Sequence, residues 1–184
     1  MTEAANSIRT VLSALAELGI PHMLTGSLAS NAYGLPRMSK DADLVVELQA
    51  EQLPALARRV APALKLDDQM SFETTTLTSR WRLLETRGGF EIELFQLSQD
   101  AFDQERFGRR IPTTFLGCST FLPTAEDVVV QKLRWAVRAH RPKDVEDALN
   151  VLRARKESLD WAYISRWCAE HGSRELLESL RAKA

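Results

Sequence analysis

Residues 24–48 read LTGSLASNAYGLPRMSKDADLVVEL: a Gly-Ser pair, Gly26 and Ser27, and further on Asp41 and Asp43 at the head of an apolar run. The run ADLVVEL, with β-branched Val45 and Val46 in its middle, predicts a strand. Side chains alternate faces along a strand, so Asp41 and Asp43 share one face while Ala42 and Leu44 point to the core. Two carboxylates that close together each raise the other's cost of ionisation unless a cation neutralises them, and hard oxygen ligands suit Mg²⁺ or Mn²⁺. The plainer alternative is a solvated strand end that happens to be acidic.

Upstream, PHMLTG predicts a short strand entering Gly26, and SLASNAY a helix started by Ser27 and ended near Gly34. A glycine at a strand-to-helix turn lets backbone approach a ligand, and the helix N-terminus offers free N–H groups to a phosphate. An ordinary N-cap at Ser27 is the competing reading. No G-x-x-x-x-G-K follows, so this is not a Walker loop.

A third carboxylate comes from GGFEIELFQL. Its alternation puts Glu91, Glu93 and Phe95 on one face and Ile92 and Leu94 on the other. A glutamate inside an apolar strand is costly to bury unless it is paired or ligates a metal. Glu93 lies deepest and is the expected third ligand, with Glu91 as the substitute. Three such oxygens on adjacent strands suit a two-metal site for phosphoryl chemistry.

The rest of the chain sorts by period. Ile8, Val11, Leu12, Leu15 and Leu18 mark an amphipathic helix over residues 4–18, stopped by Gly19. A helix is expected over 52–60, then strands in SFETTTLT, RWRLLET and FEIELFQL, with a Gly88-Gly89 hairpin turn before the last. Residues 100–121 predict a short helix and one or two strands. From Thr124 onward TAEDVVVQKLRWAVRAH, PKDVEDALNVLRARK, LDWAYISRWCAEHG and SRELLESLRAKA are all helical in period. The expectation is an α/β (α+β) fold: a mixed β-sheet flanked by helices over residues 1–122, and a helical subdomain over 123–184 packed on it.

The bulk numbers fit one globular unit. In 184 residues, 45% are hydrophobic and 27% charged, and 24 basic residues nearly cancel 25 acidic ones, so no global field draws nucleic acid or membrane. Cys118 and Cys168 form no C-x-x-C pair, which argues against a zinc site or disulfide scaffold and for a reducing cytoplasm. Neither a secretory leader nor a membrane span is read.

Together these residues resemble the nucleotidyltransferase superfamily of polymerase β-like enzymes. Its signature is a hydrophobic residue, Gly, Gly or Ser, a spacer, Asp-hydrophobic-Asp/Glu-hydrophobic, and a later acidic residue. Here the match is Thr25-Gly26-Ser27, Asp41-Ala42-Asp43-Leu44 and Glu93, departing in Thr25 for an apolar residue and in Glu for the usual third Asp. GSLASNAYGLPRMSKDADLVV, PTAEDVVVQKLRW and KDVEDALNVL are further similar to the abortive-infection (AbiE-type) toxins of type IV toxin-antitoxin systems and their relatives. The resemblance implies transfer of a nucleoside monophosphate from an NTP such as ATP, with Mg²⁺ or Mn²⁺ on Asp41, Asp43 and Glu93. It implies phosphate contacts from Gly26 and Ser27, and an RNA (tRNA) 3′ end or a protein hydroxyl as acceptor. An antitoxin protein is an implied partner, a membrane is not. A silent nucleotide-binding relative and a small-molecule (antibiotic) nucleotidyltransferase are the alternatives.

The same resemblance gives roles to Lys132, Asp144 and Asp147. By periodicity Lys132 is a surface lysine lying beside the stripe Val128, Val129, Leu133 and Ala136; by resemblance it reaches the triphosphate. Asp144 and Asp147 share a helix face, and near the helix start Asp144 also suits the dipole. Asp147 is expected to orient Lys132 or Arg134, or to touch the nucleotide. Arg37 and Lys40 divide evenly between solvated loop charges and phosphate contacts. Arg134, Arg138, His140, Arg141 and Lys143 form one basic cluster, a solvated face or an RNA landing site. Trp135, Trp161 and Trp167 read as packing residues, and His22 and His171 have no catalytic partner at motif spacing.

Overall fold

In a computed structural model of the chain, residues 2–67, 69–73 and 77–184 are described. In order they form α1 (Glu3–Glu17), β1 (His22–Leu24), α2 (Gly26–Tyr33), β2 (Asp41–Val46), α3 (Leu53–Val60), β3 (Leu64–Leu66), β4 (Ser71–Glu73), β5 (Thr78–Glu85) and β6 (Glu91–Gln96). There follow α4 (Ala101–Gly108), β7 (Ile111–Phe115), β8 (Cys118–Leu122), α5 (Ala125–Ala139), α6 (Pro142–Arg155), α7 (Trp161–Glu170) and α8 (Arg174–Arg181). The strand expected over SFETTTLT is described only in part: residues 71–73 are β4, residues 74–76 lie outside the described residues.

The main sheet runs β1-β2-β6-β5-β3, with β4 also on β5. It is mixed: β2 and β6 are parallel, the other pairs antiparallel. Register follows from burial. Ala42, Leu44, Ile92 and Leu94 are fully buried against Leu12 and Leu15 of α1 and Leu56 and Val60 of α3. Each large apolar side chain removed from water contributes about 1.5–3 kcal/mol, and a slip of one residue would expose all of them and send the aspartates inward. The parallel pairing therefore sets Asp41 opposite Glu91 and Asp43 opposite Glu93, acids outward from the core.

A second apolar cluster belongs to the C-terminal helices. Val129 and Leu133 of α5, Val151 and Leu152 of α6, Ile164 and Cys168 of α7, and Leu177 and Leu180 of α8 pack together, and Ala29 of α2 and Phe102 of α4 dock into them. These two anchors hold the helices against the acid-bearing face. The β7–β8 hairpin closes through Leu116 and Gly117, both with positive φ (51° and 81°), the twist a two-residue hairpin turn prefers. Among the described residues no helix is long and apolar enough to cross a membrane.

Candidate active site

A cleft of about 190 Å³ opens where the acid-bearing face of β2 and β6 meets α2, α5 and the start of α6. Asp41, Asp43 and Glu93 all line it; Glu91 does not, and instead lies 3.7 Å from Arg82. Burial, with the neighbouring charges of Asp41 and Glu93 behind it, pushes the Asp43 carboxyl up to about 7, while Lys132 and Arg141 pull the other way. Burial likewise raises Glu93, opposed chiefly by Arg80, whose Nη1 is 3.1 Å from Glu93 Oε1. Asp41 Oδ1 accepts from Ser39 Oγ at 2.7 Å, and Ser39 in turn accepts from Ser27 Oγ at 2.7 Å.

Gly26 is what permits the crowding. Its φ is +59°, in the left-handed region that side chains disfavour, and a Cβ there would stand 1.8 Å from Asp43 Oδ2. The Thr25 N–H donates to the Asp43 carbonyl at 2.9 Å, so the turn is tied to the strand that carries the aspartates. The expected N-cap at Ser27 is corrected: α2 begins at Gly26, Thr25 occupies the cap without a side-chain bond, and Ser27 lies inside the helix. With no side chain spent on capping, the Ser27 hydroxyl is directed to Ser39.

The opposite wall is cationic and tightly paired. Lys132 Nζ lies 2.8 Å from Asp144 Oδ1 and 2.7 Å from Asp147 Oδ2, and all three side chains are buried. Arg37 grips Asp147 with two bonds, Nε to Oδ1 at 2.8 Å and Nη2 to Oδ2 at 2.9 Å, the fork geometry guanidinium is built for. Arg141 Nε stands 3.1 Å from Asp144 Oδ2. Three cations share two carboxylates, so one positive charge is left over for the cleft. Asn31 fixes Arg37, accepting from its N–H at 3.0 Å and donating to its carbonyl at 2.7 Å.

Several expectations change with these contacts. Lys132 is no surface lysine: it is 7% exposed and lines the cleft. Asp144 is buried at the head of α6 between Lys132 and Arg141, so its role is not confined to the helix dipole. Asp147 does not line the cleft; both its oxygens are taken by Lys132 and Arg37, and it does not orient Arg134. Arg134 is 2% exposed and pairs with Asp100 and Asp103 instead, so the basic cluster is not one face: Arg141 and Lys143 line the cleft, while Arg138 and His140 are exposed. Lys40 is exposed and outside the lining. Trp135, read as a packing residue, lines the cleft with the Arg141 guanidinium 5.2 Å from its ring.

Sequence reasoning missed Arg80 and the buried pair Asp103–Arg106 (2.9 Å), which also line the cleft. The signal for Arg80 was present: alternation in RWR on β5 puts Arg80 and Arg82 on the face that Glu93 shares. Among the described residues no three His, Cys, Asp or Glu side chains stand ready-made as a metal cage; Glu93 is turned to Arg80 and Asp41 to Ser39.

Neither a protein-family model nor a curated protein sequence matches the chain. Solved structures do. The crystal structure of ANT(2'')-Ia in complex with adenylyl-2''-tobramycin aligns with a TM-score of 0.63 at 16% identity, over 95% of this chain and 99% of that one. The solution structure of the antibiotic-resistance factor ANT(2'')-Ia gives 0.59 at 15%, over 98% and 97%. An antigenic nucleotidyltransferase-like protein from Paracoccidioides brasiliensis gives 0.58 at 14%, over 98% and 92%. What these likenesses establish is the architecture: the chain has a nucleotidyltransferase-like fold, a mixed sheet flanked by helices.

Proposed function

We propose that the chain is a metal-dependent nucleotidyltransferase that moves a nucleoside monophosphate from an NTP to a hydroxyl acceptor, an RNA 3′ end or a protein side chain. The observation that carries this reading is the convergence of Asp41, Asp43 and Glu93 on one open face of two parallel strands, with Gly26 against Asp43. The donor set suits a hard divalent cation: an aspartate held near neutrality by burial and by two acidic neighbours is relieved by positive charge. Asp41 and Asp43 would hold Mg²⁺ or Mn²⁺, with Glu93 joining them on release from Arg80. Bound there, the metal supplies charge neutralisation to the phosphates and acidifies the attacking hydroxyl.

The remaining roles fall to this chain's own side chains. Gly26 and Ser27, at the N-terminal end of α2, receive the β and γ phosphates with backbone N–H groups. Lys132 and Arg37, held in place by Asp147, and Lys143 face the same phosphates and steady the charge that builds as pyrophosphate leaves. Glu93, once free of Arg80, takes the proton as the acceptor oxygen bonds to the α-phosphorus and the bond to pyrophosphate breaks. We take residues 1–122 as the nucleotidyltransferase core and 123–184 as the helical unit that completes the cleft, and the toxin of a toxin-antitoxin pair as the biological setting.

A second reading has an observation of its own: the Glu93–Arg80 ion pair fits a silent relative that binds nucleotide without turning it over. Incubation with Mg²⁺, each α-labelled NTP in turn and total RNA separates the two, with Asp41→Ala/Asp43→Ala as control. Label moving into RNA or protein and lost in the control supports transfer. Saturable NTP binding with no pyrophosphate released would overturn it in favour of the silent binder. Label moving only into an added aminoglycoside would replace the macromolecular acceptor with a small molecule.

A further inference from the structure

Two hydroxyls stand in series behind Asp41. Ser39 Oγ lies 2.7 Å from Asp41 Oδ1 and 2.7 Å from Ser27 Oγ, and all three residues line the cleft. The order of the protons follows from the groups themselves. A carboxylate oxygen accepts, so Ser39 spends its one proton on Asp41, and Ser27 must then donate to Ser39. The next hydroxyl along α2, that of Ser30, is turned back to the Gly26 carbonyl at 3.0 Å. Both hydroxyls at the head of α2 are thus spent inside the protein, and what the helix offers a phosphate is its backbone N–H groups.

The surroundings are built to keep Ser39 in place. Ser27 and Asn31 are four residues apart, on one face of α2, and both reach the segment that leads into β2. Asn31 makes two bonds to the Arg37 backbone, and Ser27 makes its bond to Ser39. The two aspartates are held by different means. Asp43 packs so closely on Gly26 that no Cβ fits between them. Asp41 is the first residue of β2, and among the described residues its carboxylate takes one side-chain hydrogen bond, from Ser39 to Oδ1, so Oδ2 is free of hydrogen bonds.

We infer that Ser39 is a positioning residue of the metal site, with the Ser27 hydroxyl as its support: Ser39 turns the Asp41 carboxylate so that its unbonded oxygen meets the ion. This rests on the reading of Asp41 as a metal ligand. A hydrogen bond to a ligating carboxylate fixes the direction of the lone pairs that reach the metal, and loss of such a partner costs about 10–100-fold in affinity. Ser27 reaches Asp41 only through Ser39, so deletions of the two hydroxyls should not add.

The test is Mn²⁺ binding in the absence of nucleotide, followed by the electron paramagnetic resonance of the free ion. Ser39→Ala should raise the Kd for Mn²⁺ by about tenfold or more, and Ser39→Thr, which keeps the hydroxyl, should recover most of that loss. Ser27→Ala should weaken Mn²⁺ by a smaller factor, and Ser27→Ala/Ser39→Ala should bind no worse than Ser39→Ala alone. Three results overturn the inference: Ser39→Ala binding as tightly as the unaltered protein, Ser39→Thr binding as weakly as Ser39→Ala, or losses from the two deletions that multiply. Should Ser39→Ala fail to fold, Ser27→Ala decides, and an unchanged Mn²⁺ affinity there refutes the series. An unaltered protein that takes up no Mn²⁺ would instead refute the metal reading of the cleft, so the two failures are told apart.

Discussion

Gly26→Ala puts the central geometric claim at risk. The added methyl has two separable costs. One is conformational: at φ +59° an L-residue is disfavoured by about 1–2 kcal/mol. The other is a collision, since the new Cβ would stand 1.8 Å from Asp43 Oδ2 where ordinary contact is well over 3 Å. Asp43 must therefore retreat by more than an ångström, a displacement of the size that costs about 100-fold in rate when it falls on a reacting centre. Gly19 supplies the control. Its φ is +63° and a Cβ there meets nothing within 4 Å, so Gly19→Ala carries the strain without the collision. Both variants should lose a few degrees in thermal melting, at about 2–4 °C per kcal/mol for a chain of this size. Only Gly26→Ala should lose pyrophosphate release from NTP, by about two orders of magnitude. Equal activity in the two variants would refute the claim that Gly26 exists to admit Asp43.

Other outcomes follow from the same contacts. Asp43 is protonated in the fold but ionised in the unfolded chain between about pH 4 and 7, so its contribution to stability falls as pH rises through that window. Asp43→Asn should therefore stabilise the metal-free protein at pH 8 by up to roughly 3–4 kcal/mol and do little at pH 4, as read by urea unfolding in a chelator. Added Mg²⁺ should raise the melting temperature of the unaltered protein and not that of Asp41→Asn/Asp43→Asn, by an amount growing with ln[Mg²⁺]; an equal rise in both would remove the metal from these aspartates. Lys132→Met strands Asp144 and Asp147 with one cation fewer and should cost about 3–5 kcal/mol in urea unfolding as well as transfer activity. Tyr163→Phe deletes the buried bond from the Tyr163 hydroxyl to Asp127 Oδ1 (2.6 Å), and should cost about 1.5–3 kcal/mol while transfer proceeds unchanged.

What the sequence made legible was whatever is encoded at short range. The period of two in ADLVVEL and FEIELFQL placed the acids on one face and the aliphatics on the other, because a buried aliphatic face fixes register. The helical periods after Thr124 were equally plain. The cap at Ser27 was misread because the preference for serine at N-caps is local, while the helix start is set by a left-handed Gly26 pressed against another strand. Lys132 with Asp147 was one of the two pairings expected, but Arg37 with Asp147 joins segments remote in sequence, and no local pattern says which charges of a loop and a helix will meet. Trp135 was misassigned for a related reason: helical spacing gives its angle on α5, but only the placement of α6 and Arg141 decides whether that angle faces packing or a cleft.

The parallel pairing of β2 with β6 also has a kinetic meaning. Two strands that run the same way cannot be joined by a tight turn, so the chain between Asp43 and Glu93 makes a long excursion through α3, β3, β4 and β5. Contacts of that sequence separation form slowly, whereas Lys132 meets Asp144 and Asp147 across the short connection between α5 and α6. During synthesis from the N-terminus, a nascent chain that has already emerged past β2 thus carries its aspartates with neither their third acid nor their cations. The cleft is complete only when segments from both ends of the chain have come together.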